Sequence, residues 1–380
     1  MPEMKPSVFI TGGCGFIGTW VIRELLRIGL RVIVLDTGGR PPRWKRVIGS
    51  GGEAVPLVQG SLLDRELLTR VFAEHDVTHV IHLAALLTPD CQADPWEGCR
   101  VNVLGTVALF EQVRASANRI HGFSSASSVA VFGDEPDHAS GAPMTGSHPL
   151  TFYGAFKKSV ELIADQYWRQ FQITSVGIRP QIAYGPEREA GLTAGPSLAA
   201  RAAAQGEAYC IRYTGHVGYD YVEDVARAFV RSALETPPGA PVIDLPGEVA
   251  DVNQVIAAIA TAAPESARNL SANGPPIPRM PHPRRISSRP FTRIGKPPLS
   301  SKECGERSIS IESKNPGACR CDVSRDFAFR LTTARGMDIP SYPPYHTERR
   351  LNRNSSSSQN DARRFWAVVP DPRGRLRIPG

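Results

Sequence analysis

Along residues 1–275, short apolar runs alternate with stretches in which apolar side chains recur every three or four positions. Runs at Ser7–Thr11, Arg31–Asp36, 55–58, 78–84, 120–124 and 173–179 have the length and β-branched character of buried strands. The helical period predicts helices from the glycines after Thr11 to about residue 28, over 101–115 and over 153–170. Beyond residue 180 the pattern is less regular, with helices expected near 195–205, 222–235 and 251–262. Strands alternating with helices of this length predict an α/β fold, a parallel sheet with helices on both faces.

The pattern stops at about Gly274-Pro275. Residues 276–380 hold 14 of the 33 prolines and only 31 apolar residues in 105, with no regular period. They carry 21 Lys and Arg against 9 Asp and Glu, a formal +12; residues 1–275 carry 23 against 28, a formal −5. Such a composition buries too little apolar surface to offset ordering entropy, so 276–380 is expected to be a disordered basic tail. The overall +7 therefore says nothing about the partner of the folded part. The tail's Arg284-Arg285, Arg349-Arg350 and Arg363-Arg364 pairs lack interleaved aromatics, and no specific nucleic acid partner is expected.

No stretch reaches the roughly 18 apolar residues of a membrane helix, so no membrane partner is expected. Seven cysteines without framework spacing fit reduced thiols. The first residues run directly into a strand and leave no room for a leader. Together these give a cytoplasmic expectation. Cys304, Cys319 and Cys321 with a distant His346 lack the paired short spacings of a zinc site, so no metal is expected.

Thr11-Gly12-Gly13-Cys14-Gly15-Phe16-Ile17-Gly18 joins the first strand to a helix, a G-x-x-G-x-x-G variant of the dinucleotide fingerprint. Gly12 permits the tight turn, Gly15 lets backbone approach a pyrophosphate, and Gly18 lets helix pack on sheet. The helix N-terminus offers free N–H groups and a positive dipole end to phosphate. Asp36 closes the second strand 18 residues after Gly18. A carboxylate there accepts hydrogen bonds from a ribose diol and repels a 2′-phosphate, which favours NAD over NADP; the nearby Arg40 weakens that preference. Cys14 reads as a small filler of the loop.

Tyr153 and Lys157 lie four apart at a helix start and project from one face. A tyrosine of ordinary pKa about 10 is a poor base at neutral pH. A lysine ammonium one turn away favours the phenolate and makes Tyr153 a usable acid/base. Ser128 follows the fifth strand at the carboxyl edge of the sheet, where its hydroxyl can bond the same substrate oxygen. His79 and His82 read as core or cofactor-adjacent packing rather than as ligands.

In this order the motifs resemble the extended short-chain dehydrogenase/reductase family, also called NAD-dependent epimerase/dehydratases. The matching residues are the loop at 11–18, Asp36, His82-Leu83-Ala84-Ala85, Val101-Asn102-Val103-Leu104-Gly105-Thr106 and Ser127-Ser128-Val129-Ala130-Val131-Phe132-Gly133. They continue with Tyr153-Gly154-Ala155-Phe156-Lys157, Arg179-Pro180, Tyr184-Gly185-Pro186 and Tyr221-Val222-Glu223-Asp224-Val225-Ala226. The resemblance implies a Rossmann-type doubly wound sheet over 1–180. It also implies a small substrate lobe over 181–275, interleaved with the first domain and incomplete because the tail replaces the family's last helices. That abrupt change reads as an out-of-frame or fused stretch.

By the resemblance Tyr153 is the acid/base, Lys157 holds the nicotinamide ribose and tunes Tyr153, Ser128 orients the substrate oxygen and Asn102 supports the site. NAD contacts are implied for Gly12, Gly15, Phe16, Ile17, Gly18, Asp36, Ser61, Leu62, Leu83, Ala84, Ala85, Asn102, Tyr153, Lys157 and Pro180. Ser61 stands where many relatives carry Asp. Val217 stands where nucleotide-sugar relatives carry an Arg that grips a diphosphate, and Arg212 lies five residues earlier. The expected activity is hydride transfer between NAD and a secondary alcohol or ketone of a sugar-like or small polyol substrate. A nucleotide-sugar epimerase or dehydratase with tightly bound NAD is the alternative, and a non-catalytic NAD sensor is a reading of another class. Relatives often pair through helices like those near 101–115 and 153–170, which implies a homodimer.

Overall fold

The computed structural model describes residues 6–133 and 148–277; the expectation of a disordered tail falls outside the described residues, except for Pro276 and Ile277. The first strand, β1 (Ser7–Thr11), leads into α1 (Phe16–Arg27), followed by β2 (Arg31–Asp36), α2 (Pro42–Val47), β3 (Leu57–Gln59), α3 (Arg65–Glu74) and β4 (His79–His82). Two short helices, α4 (Thr88–Ala93) and α5 (Pro95–Cys99), precede a π-helical turn (Arg100–Leu104), α6 (Gly105–Ala115) and β5 (Gly122–Ala126). Then come α7 (Phe152–Phe171), β6 (Val176–Arg179), β7 (Ile182–Tyr184), α8 (Gly195–Gln205), β8 (Tyr209–Ile211) and β9 (His216–Tyr221). The described chain closes with α9 (Val222–Leu234), β10 (Val242–Asp244), β11 (Glu248–Asp251), α10 (Val252–Ala262) and β12 (Leu270–Ala272).

Seven strands form one sheet in the order β10-β6-β5-β4-β1-β2-β3, with every pairing parallel. The order turns back on itself between β1 and β4, which makes this the doubly wound, Rossmann-type arrangement. Parallel strands covered on both faces must be apolar throughout, and Val8, Phe9 and Ile10 of β1 are fully buried. Their side chains alternate between the two faces. Val8 and Ile10 join Trp20, Leu25, Val225 and Phe229 from α1 and α9. Phe9 points into the opposite layer with Leu68, Phe72, Leu109 and Tyr167 from α3, α6 and α7. A third core, including Tyr184, Ala199, Tyr213, Val217, Tyr219 and Ile259, sits under α8 and α10 against the small β11-β9-β7 and β12-β8 sheets.

The segment beyond residue 180 is threaded through both layers. It builds the small sheets, then returns α9 and β10 to the large one, where β10 pairs with β6 in the register Val242 with Gly177.

Most boundaries fall where the pattern places them, and the differences have local causes. The strand expected over 173–179 begins at Val176. Gln172 ends α7 in the left-handed region at φ 56°, and Ile173 folds back so that its N–H donates to Tyr167 O at 3.3 Å. Ile173 is thereby buried as a plug beneath the helix rather than as strand. Asp64 caps α3 by accepting from Leu67 N at 2.9 Å, a helix start that the reading over this stretch did not use.

Candidate active site

The glycines of the first loop are fixed by close approach. Gly12 sits at φ +74°, and a Cβ added there would lie 2.7 Å from Ala84 N; one added at Gly18 would lie 2.4 Å from Gly12 O. The loop is thus pressed against the segment leaving β4. Leu83 N donates to Thr11 O at 3.0 Å, and Ala84 N donates to Thr11 Oγ1 at 3.3 Å. His82 is locked between Thr11 Oγ1 (2.6 Å) and Thr106 Oγ1 (2.9 Å), and burial drives its pKa down to about 3. It is a neutral structural residue, as is His79, which burial takes to about 4.

Asp36 closes the loop from the other side. Its carboxylate accepts from Cys14 N at 2.9 Å and Gly38 N at 3.0 Å. Arg40 turns away to donate to the carbonyls of Gly52 and Val55, and stacks 4.9 Å from the Trp44 ring. The Cys14 thiol is pushed up to about 12 by burial and then by the Asp36 carboxylate, so it stays protonated at neutral pH.

Gly15 is the N-cap of α1 and has no side-chain cap, which leaves the first amides of a twelve-residue helix to other acceptors. Phe16 and Ile17 open that helix half-buried. Leu62 is buried after β3, while Ser61 Oγ accepts from Leu63 N at 3.2 Å. Ala85 is half-buried beyond β4, and Pro180 is buried after β6. All of these lie at the carboxyl ends of the strands.

The second group of residues converges where β5 ends. Lys157 is buried, and its ammonium donates to Ala126 O at 2.7 Å, 5.7 Å from the Tyr153 ring centroid. Burial lowers its pKa to about 8, against smaller opposing effects from Cys91 and Glu161. Burial raises Tyr153 to about 12, opposed by a hydrogen bond shared with Ser128 and by the charge of Arg188. Ser128 lies in extended backbone and accepts from Ala130 N at 3.1 Å. Asn102, in the π turn, accepts from Leu86 N at 2.7 Å and donates to Leu86 O at 2.9 Å. Its amide is committed to shaping the segment after β4.

Behind these groups lies a buried ion-pair network that the sequence reading missed. Glu161, one helical turn beyond Lys157, accepts from Arg179 Nε and Nη2, both at 2.6 Å, and from Ser127 Oγ at 2.5 Å. Burial alone would raise the Glu161 carboxyl, but Arg179 and Ser127 hold it below its ordinary value. Arg179 also reaches Asp244 Oδ1 of β10 at 3.2 Å. The network ties α7 to β5, β6 and β10, and so fixes the distance between Lys157 and Ala126. The available signal was the i,i+4 repeat from Lys157 to Glu161 on the inward helix face.

Val217, expected from the sequence to stand where nucleotide-sugar relatives carry an Arg, is 3% exposed inside the third core, and Arg212 is exposed. Among the described residues no group of three or more His, Cys, Asp or Glu is placed to hold a metal ion. No described helix is long and apolar enough to cross a membrane.

The side chains of Glu161 and Arg179 are only 4% and 11% exposed, so removal of one partner leaves the other with only a longer ion pair at 3.2 Å, Arg179 to Asp244 or Glu161 to Lys158. Glu161→Gln is expected to lower unfolding free energy by about 3–5 kcal/mol, read as a fall in the urea midpoint. The double variant Glu161→Leu/Arg179→Met is expected to recover most of that loss. A double variant as unstable as the single would contradict this account.

A family model for the NAD dependent epimerase/dehydratase family matches residues 8–242. The chain is 34% identical over 131 residues to the UDP-glucose 4-epimerase of Haemophilus influenzae, covering 34% of this chain and 38% of that protein. It is 32% identical over 174 residues to the enzyme of the same description from Neisseria meningitidis serogroup B, covering 43% and 50%. The matched region therefore spans half or less of the length of these curated relatives. Among solved structures it is similar to the Thermus thermophilus UDP-glucose 4-epimerase in complex with NAD. The identity is 27%, the TM-score 0.60, and the match covers 72% of this chain and 89% of that one. With the glycine loop, the seven-stranded order and a match over residues 8–242, the chain belongs to the NAD-dependent epimerase/dehydratase family.

Proposed function

We propose that the protein is an NAD-dependent oxidoreductase that interconverts a secondary alcohol and a ketone on a sugar-like or small polyol substrate, with Tyr153 as acid/base. The observation that carries this reading is the convergence of Lys157, Tyr153 and Ser128 beside the glycine loop, with the Lys157 ammonium 2.7 Å from Ala126 O.

The loop fits the cofactor's phosphates, since Gly12 and Gly18 hold it tight against the segment after β4 and the start of α1, and the uncapped start of α1 at Gly15 supplies amide donors. Gly15, Phe16 and Ile17 would hold the diphosphate, Asp36 the adenosine ribose, and Ser61 and Leu62 the adenine side. Leu83, Ala84, Ala85 and Pro180 would line the channel toward Tyr153. Bound NAD supplies the two-electron acceptor and donor for the substrate carbon.

The protein moves the proton. Tyr153 takes it from the substrate hydroxyl, Ser128 holds that oxygen, and the Lys157 ammonium stabilises the phenolate; Lys157 would also hold a ribose hydroxyl of the cofactor. Asn102 keeps the 86 segment in place without touching the reacting atoms.

A second reading, a nucleotide-sugar epimerase that returns the electrons to the opposite face, is favoured by the curated relatives, which are UDP-glucose 4-epimerases. Against it stands the buried Val217, which cannot present a charge to a diphosphate. Accumulation of NADH with secondary alcohols, but not on incubation with UDP-glucose, is expected. Conversion of UDP-glucose without net NADH would establish the second reading.

Tyr153→Phe is expected to lower kcat by at least about 100-fold with NAD affinity retained; retained turnover would overturn the mechanism. Lys157 and Tyr153 titrate as a pair whose first proton leaves near pH 8. Oxidation needs that proton gone, so kcat/KM rises with pH to about 8 and then levels. Lys157→Met removes the group that titrates there and shifts the rise to higher pH.

Asp36→Asn preserves an acceptor for the loop amides and removes the charge that repels a 2′-phosphate. It is expected to raise the NADP:NAD ratio of kcat/KM by about tenfold or more. We further propose a homodimer through α7 and the π-helical turn that leads into α6, where Leu162 and Leu104 are 58% and 54% exposed. Leu162→Glu is expected to shift sedimentation from dimer to monomer. A wild type that sediments as a monomer at all concentrations would exclude the dimer.

A further inference from the structure

The loop after β7 reads Gly185-Pro186-Glu187-Arg188-Glu189, a charged run that looks solvated. Its geometry is otherwise. Glu187 sits at φ +72°, in the left-handed region that a non-glycine residue rarely adopts. The two glutamates point away from the interior to α2. Glu187 accepts from Arg46 at 2.5 and 2.7 Å, and Glu189 accepts from Arg43 at 3.0 Å and from Arg46 at 3.2 Å. Trp20 Nε1 of α1 donates to Pro186 O at 3.2 Å and fastens the same loop to the start of the nucleotide layer.

Arg188 is left turned inward without either neighbouring acid. Its Nη1 donates to Ala183 O and its Nη2 to Thr193 Oγ1 at 2.7 Å. Its guanidinium carbon lies 5.9 Å from the Phe16 ring centroid. No carboxylate pairs with it among the described residues, whereas the similarly placed Arg179 has both Glu161 and Asp244. Burial lowers the Arg188 pKa only to about 10, so it is a cation at neutral pH. The phenols that feel its charge are Tyr213 of the lobe and Tyr153. A guanidinium has five donors, and two contacts leave most of the fork unused. Arg188 is half-buried, and a charge partly withdrawn from water without a counter-ion is unfavourable. This one is built into a strained, doubly tethered loop beside the acid/base.

We propose that Arg188 binds an oxyanion carried by the substrate near its reacting carbon, so that the substrate class is a hydroxy acid or a phosphorylated polyol rather than a neutral sugar. This rests on the alcohol–ketone reading of Tyr153. The cofactor's diphosphate is the rival source of an oxyanion. Arg188 does lie near Phe16 at the start of α1, but the uncapped amides of α1 already answer that group, while Arg188 is held by Thr193 and its charge acts on the phenols of Tyr213 and Tyr153.

The test is calorimetric titration of the full-length protein saturated with NAD, using three probes of one carbon skeleton: D-glucuronate, D-glucose 6-phosphate and D-glucose. At least one anion is expected to bind about tenfold or more tightly than glucose, and which one does identifies carboxylate or phosphate. Arg188→Gln is expected to weaken that anion by about 10- to 100-fold, leaving glucose and NAD binding unchanged. Arg188→Lys is expected to recover part of the loss. The wild type alone supplies a check that needs no variant: its melting temperature should rise with the anion and not with glucose.

Equal binding of all three probes, no binding of either anion, or equal loss of anion and glucose in Arg188→Gln would overturn the proposal. A loss of NAD affinity of about tenfold or more in that variant would assign Arg188 to the cofactor and overturn it as well. Failure of the underlying function has a different signature: no NAD binding by the wild type, or full turnover by Tyr153→Phe.

Discussion

The Lys157 ammonium, buried against the carbonyl of Ala126, is the contact on which the site depends. An ammonium is expensive to desolvate, and this one is accepted because a backbone carbonyl and the nearby negative charge of Glu161 offset part of the cost. Its position sets the distance from α7 to the end of β5. Tyr153 and Ser128, one turn before it and two residues beyond Ala126, are then brought within hydrogen-bonding reach of each other. Glu161 and Arg179 brace the same junction from behind. A shift of α7 along β5 would break three relations at once, which makes this junction rigid.

The large sheet was readable because its signals are local. Each buried strand is a contiguous apolar run, the glycine loop follows β1 directly, and Tyr153 with Lys157 is an i,i+4 pair. The region beyond residue 180 was less readable, since several of its strands have only three residues. Such segments are too short for alternation to emerge and are defined by their partners in space. Glu161 with Arg179, and Arg188, were hidden for a related reason. The first pair is 18 residues apart in sequence, and the inward turn of Arg188 comes from one strained backbone angle at Glu187 that no residue pattern announces.

Tyr153 and Lys157 show opposite responses to one environment. Burial disfavours whichever form is charged, so it lifts the phenol to about 12 and depresses the amine to about 8. Each group alone is thereby moved away from the ionised state useful for proton transfer. Under the proposed mechanism the useful state is a phenolate beside an ammonium, so the two groups would have to act together.

The bond from Arg23 on α1 to Glu223 on α9 joins residues 200 apart in sequence, and it has a consequence for how the protein is made. The apolar side of α1, with Trp20, Val21 and Leu25, is completed only by Val225 and Phe229. During synthesis at about 5–20 residues per second, the first helix emerges tens of seconds before the helix that covers it. For that interval the nascent chain displays a sticky, half-finished layer. The nucleotide layer therefore cannot fold progressively from the amino terminus, and early termination anywhere before α9 should produce an aggregation-prone fragment rather than a smaller stable domain.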